Sequence, residues 1–94
     1  MIIGVCTVQL HLPGSHSLKD KRQVLQPLLA RIRRDHNVSV AEIDQQDAWQ
    51  MATLGIACVS NDSAYAHGLL SRIVALIPAW RMDVEVIDYA IEIC

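Results

Sequence analysis

Ninety-four residues, 52% apolar and 19% charged with a formal net charge of −2, predict one domain spanning residues 1–94 with a two-layer core. That balance excludes a disordered chain and argues against a generic polyanion binder. The charge is unevenly placed: residues 15–36 hold six cations against two acids, +4, whereas residues 37–94 hold two cations against eight acids, −6.

Residues 2–12 alternate, with Ile2, Cys6, Val8, Leu10 and Leu12 on one face and Thr7, Gln9 and His11 on the other, which predicts a half-buried strand. Pro13-Gly14 turns the chain. Ser17 is placed to cap a helix, and Asp20 stands three residues on, in a variant of the capping box. Over residues 18–35 the apolar positions Leu18, Val24, Leu25, Leu28, Leu29 and Ile32 form a helical stripe. Pro27 within it removes one hydrogen bond and crowds the preceding turn, so a kink near Gln23–Pro27, or a break and restart, is expected.

Asn37 supplies a helix stop. Val38–Ile43 is rich in β-branched residues and predicts a second strand. Asp44–Trp49 suits a loop or flared hairpin, and Met51–Ser60 a third strand. Asn61 or Asp62 caps a second helix to about Ile77, with Tyr65, Leu69, Leu70, Ile73, Val74 and Ile77 as its stripe and Pro78 as its end. Val84–Ile93 alternates again. The order β-α-β-β-α-β is that of the ferredoxin-like α+β fold, a four-stranded antiparallel sheet with both helices on one face.

By parity the second sheet face carries Ile3, Val5, Thr7, Gln9, Thr53, Gly55, Ala57, Val59, Val84, Val86 and Ala90. A solvated sheet would hold more charge. A homodimer that covers this face is therefore expected.

Cations in the first turn of a helix are locally unfavourable unless something negative approaches. Ser15, His16, Ser17, Lys19, Lys21 and Arg22, extended by Arg31, Arg33 and Arg34, are accordingly read as a phosphate-backbone contact without base specificity. The competing reading is a solvated helix face with a structural cap. Gln46, Asp47 and Trp49 form a candidate partner loop, where Trp49 either stacks on a base or side chain or pins the hairpin to its own domain.

No acid–base carboxylate pair, metal-ligand spacing or cofactor motif stands in the chain, so a non-enzyme is expected, with no small-molecule substrate identified. Cys6, Cys58 and Cys94 read as reduced thiols. Met1-Ile2-Ile3 lacks a basic leader and no run approaches a membrane span, so a cytoplasmic chain is expected. The third strand, Ala52–Cys58, has no aromatic residue, which excludes base reading in the manner of an RNA-recognition motif. It also lacks the asparagine that an acylphosphatase-like site would use, and the first loop lacks the CxxC of a metal carrier.

The segments Pro13–Arg22, Asn37–Glu42, Gln46–Gln50, Val59–Asp62 and Asp88-Tyr89, at these spacings, resemble the YlxP-like family of small bacterial proteins of unknown function. The resemblance covers essentially the whole chain and implies a ferredoxin-like fold. The family's genes often lie beside those for transcription-termination and translation-initiation factors and ribosome-binding factor A. This implies a ribosome- or RNA-linked role, with ribosomal RNA or a ribosomal subunit as partner. The alternative is a homodimeric protein-interaction module with no nucleic-acid contact.

Overall fold

The computed structural model describes residues 1–94 throughout. It contains β1 (Ile2–His11), α1 (Leu18–Asp35), β2 (Ser39–Asp44), β3 (Met51–Ser60), α2 (Ser63–Trp80) and β4 (Glu85–Ile93). The strands form one antiparallel sheet in the order β2-β3-β1-β4. This is the expected ferredoxin-like architecture.

The two long central strands, β1 and β3, pair over ten residues from Ile2↔Ser60 to His11↔Met51. Their inward positions Cys6, Val8, Leu10, Ala52, Leu54, Ile56 and Cys58 join Leu25, Leu28 and Ile32 of α1 and Leu70, Ile73 and Ile77 of α2 in a core of 19 buried residues. The close seat of α2 on β1 depends on Gly4. A Cβ there would stand 3.1 Å from Cys58 Sγ, 3.1 Å from Leu70 Cδ1 and 3.3 Å from Ala66 Cβ, contacts that a packed interior could relieve only by shifting the helix.

Both helices begin where the sequence places them. Ser17 Oγ accepts from Asp20 N at 3.0 Å, while Asp20 Oδ2 accepts from His16 N at 3.0 Å, so the box closes one residue further out than usual. Asp62 caps α2 through Ala64 N and Tyr65 N.

Four expectations are corrected. First, α1 does not break and restart at Pro27 but continues as one helix through it. The proline is exposed, so the Gln23 carbonyl that loses its partner remains on the solvent side. Second, α2 does not stop at Ile77. It runs past Pro78 to Trp80, whose ring packs against the core, and the turn closes with Arg81 N on Ile77 O. Third, Tyr65 is 57% exposed and Ala66 takes the buried place in the stripe.

The fourth correction concerns β4. Leu10 pairs with Val86 but Gln9 pairs with Asp88, so Ile87 is an extra residue. This bulge reverses the alternation. Val84 and Val86 therefore face the helices, with Val84 fully buried and Val86 packed against the core. The strand instead presents Glu85, Asp88, Ala90 and Glu92 beside His11, Gln9, Thr7 and Val5 on the open face.

Candidate functional site

Two stretches singled out in the sequence, residues 13–22 and the Gln46–Trp49 loop, meet at one end of the sheet. Leu12 N donates to Gln50 O at 2.8 Å, and the Gln50 side-chain amide reaches Pro13 O at 3.4 Å. The main tie is Lys21. Its side chain is 4% exposed, and its ammonium donates to Gln45 O at 2.9 Å, Gln46 O at 3.2 Å and Met51 O at 3.2 Å. An ammonium has three protons, and three backbone carbonyls are within reach of them. The Glu42 carboxylate pairs with the same nitrogen at 2.9 Å. The carboxylate balances the buried charge while the carbonyls fix the geometry.

The loop so held is locally strained. Gln45 has φ 61° without being glycine, a conformation that persists only where its surroundings enforce it. Its N–H donates to Asp44 Oδ1 at 2.8 Å, its side-chain carbonyl accepts from Thr53 Oγ1 at 2.7 Å, and its backbone carbonyl accepts from Lys21. Ala48 N then closes a turn on Gln45 O. On this platform Trp49 is 56% exposed. The polar tie that holds the hairpin to its own domain is Lys21.

The predicted basic surface divides. Lys19 and Arg22 are exposed and have no ion pair or hydrogen bond within the chain, and His16 is exposed beside them. Lys21 must be removed from the anion-binding set, because it is buried and its protons are committed. Ser15 is 3% exposed and donates to Ser17 O, so its hydroxyl is not open to a phosphate, whereas Ser17 Oγ accepts from Asp20 N in the cap. At the far end of the helix, Arg33 donates to the Val40 carbonyl of edge strand β2 at 2.8 Å. Arg31 lies 4.5 Å over the Trp80 ring and 3.5 Å from Asp35, and Arg34 binds Asp35 at 3.1 Å. The Arg34 hydrogen bond and both neighbouring guanidinium charges hold the Asp35 carboxyl below its usual range. These three arginines are exposed, but unlike Lys19 and Arg22 each has a partner within the chain.

Glu42 was missed from sequence, although two signals mark the pair. Lys21 occupies the buried helical spacing 21, 25, 28 and 32, and Glu42 shares the inward face of β2 with Val40. A cation in an apolar stripe requires an acid opposite it. Between α1 and the loop lies an open cleft of about 350 Å³ whose walls include Arg22, Gln26, Glu42 and Gln46. The rim of this cleft carries the unpaired Arg22 and the Gln46 amide, and Lys19, Asp47 and Trp49 are exposed on the same two segments.

The family profile described as "Protein of unknown function (DUF503)" matches residues 3–91. The chain belongs to this family. A relative in the family, the Bacillus subtilis (strain 168) protein named "Uncharacterized protein YlxP", is 37% identical over 79 residues, which cover 84% of this chain and 86% of that one.

Among solved structures, the de novo designed protein LFR1 1 with ferredoxin fold superposes with a TM-score of 0.59 at 11% identity, covering all of this chain and 84% of the other. The de novo designed protein Foldit4 superposes with a TM-score of 0.54 at 14% identity, covering all of this chain and 97% of the other. These likenesses establish the fold, and a fold by itself carries no activity. In this family member the segments behind the resemblance, Pro13–Arg22 and Gln46–Gln50, are the two that Lys21 fastens together. No helix is long and apolar enough to cross a membrane.

Proposed function

We propose that the protein is a non-enzymatic cytoplasmic accessory factor that docks on single-stranded or looped RNA, ribosomal RNA first, through Lys19, Arg22, Gln46 and Trp49. The observation that carries this reading is the exposed Trp49 ring on the loop that the Lys21 clip fastens to the start of α1, where Lys19 and Arg22 are exposed and unpaired. An aromatic platform for a base beside cations for the backbone is the usual means of gripping an unpaired strand, and it is tolerant of sequence. Asp47 and the occupied helix cap limit the electrostatic share. Two cations on a single strand give a salt slope of only about −1.4, so stacking must supply much of the affinity.

The test is binding of a fluorescent single-stranded RNA, together with co-sedimentation with ribosomal subunits at low and high salt. Trp49→Ala is expected to weaken binding about tenfold, in line with a stacked base. Absence of binding at low salt ends the reading. The alternative, a protein-interaction module that does not touch nucleic acid, is favoured by the apolar open face of the sheet and predicts that result.

A further inference from the structure

We infer that the open face over β1, β3 and β2 is covered by a second copy of this chain, in an arrangement that leaves both β4 strands outside the contact. This rests on a different surface from the RNA reading and stands or falls separately.

The face has two unlike halves. Over β1, β3 and β2 it is apolar: Val59 is 67% exposed, Ile43 52% and Ile3 37%. A shallow groove of about 310 Å³ runs there between Val5, Ala41, Ile43, Gly55 and Ala57. Ile43 is the extra residue of a second irregularity, between Glu42 and Asp44. It leans over Gly55, where a Cβ would stand 3.0 Å from its Cγ2. The absence of that Cβ keeps the groove open. Along β4 the face is acidic, with Glu85, Asp88 and Glu92. Neither half holds a lysine or arginine, which makes the face unfit for nucleic acid.

Charge then selects among ways of closing it. A two-fold axis lying across the strands would set β4 on the partner's β4 and face three carboxylates against three, an arrangement that repels. An axis running along β3 lays β1 over the partner's β2 instead. It carries the two acidic stripes to opposite margins about 20 Å apart, well beyond a Debye length of ~8 Å. The apolar half is thereby matched to itself, and the carboxylates remain in water.

The area sets the strength. Two strands of ten residues and one of six cover about 400 Å² of flat sheet per copy. With side-chain relief a pair approaches the ~1,000 Å² at which specific interfaces begin. A dimer with a dissociation constant in the micromolar range is expected.

The experiment is sedimentation velocity of the full chain from micromolar to millimolar concentration, with circular dichroism as a check on folding. Wild type should pass from monomer to dimer, and Ala57→Arg should raise the dissociation constant at least about tenfold. If Ala57→Arg does not fold, Thr7→Arg, at an exposed position of the same half, takes its place with the same expectation. Asp88→Asn should change the constant less than about threefold. A chain that stays monomeric at millimolar concentration overturns the proposal. So does an arginine variant that dimerises like wild type, and marked tightening by Asp88→Asn would show that the acidic stripes meet and overturn the arrangement.

Discussion

The two ends of α1 are nearly the same in composition and different in what they offer a partner. Lys19, Lys21 and Arg22 cluster at the start of α1, and Arg33 and Arg34 stand in its last turn with Arg31 just before it. At the start one cation is buried as a clip and two are free. At the other end all three are engaged, by Asp35, by the Val40 carbonyl and by the Trp80 ring. The macrodipole favours cations at the last turn and disfavours them at the first. The arginines therefore sit where the helix wants them and are then tied to neighbours. Lys19 and Arg22 sit where it does not, and they have no neighbour. Charge held against the helix's own preference, and left open, is the better mark of a partner than charge counted along the chain.

The largest break in this comparison is Lys21→Met. It would leave the half-buried Glu42 carboxylate without its counter-charge and take a donor from the carbonyls of Gln45, Gln46 and Met51. Removing one partner of a buried pair costs about 3–5 kcal/mol. For a chain of this length that lowers the melting temperature by roughly 15 °C or more. Glu42→Gln should cost less, because the ammonium it leaves without a counter-charge keeps its three backbone carbonyls. Thermal or denaturant unfolding of the two variants measures the difference. Equal losses would mean that the carboxylate, and not the carbonyl cage, holds the clip.

Between the two ends stands Pro27, exposed in an unbroken helix. Pro27→Ala restores a donor for the Gln23 carbonyl and relieves the ring's crowding, while it loosens the unfolded chain. A net gain of about 1–2 kcal/mol is expected, read as a raised denaturant midpoint. RNA binding should be unchanged, since both turns keep their geometry. An altered affinity would show that the proline positions the first turn relative to the last.

Charge reversal tests the comparison directly. Lys19→Glu with Arg22→Glu should weaken RNA binding about tenfold and flatten its salt dependence. Arg31→Glu with Arg34→Glu should change it less than about threefold. Equal losses from the two pairs would restore the continuous basic helix that the sequence suggests and the structure divides.

The fold was legible because its signals are local. Alternation in β1, the Ser17 and Asp62 caps and the stripe through Leu25, Leu28 and Ile32 each concern residues close in the chain, and each was read correctly. What was not legible depends on pairing between distant segments. The Ile87 bulge is set by the register of β4 on β1, and no parity rule within the strand reveals it. The division of the basic residues likewise depends on Gln45, Val40 and Trp80 arriving from elsewhere. Pro27 and Pro78 misled for a related reason: local propensity yields when a helix is held by its packing. The rim is the intermediate case, since both segments were noticed but their junction was not. Lys21 in a buried stripe was the clue, and it was read as one of three like charges.

The smallest expected effect tests whether the last turn is engaged in solution. Asp35 has its carboxyl lowered from 3.8, chiefly by the Arg34 hydrogen bond. A carboxyl lowered by folding adds stability above its unfolded value, and that contribution fades as pH falls through the folded value. The group is on the surface and its partners are solvated, so the effect on unfolding is slight and is better read by NMR titration of the carboxyl carbon. In wild type the Asp35 midpoint should lie below the ordinary aspartate range. In Arg34→Ala it should move up toward it, with the remaining depression left to Arg31. An unmoved midpoint would mean that Arg34 is free in water, and the last turn would then be as open to a phosphate as the first.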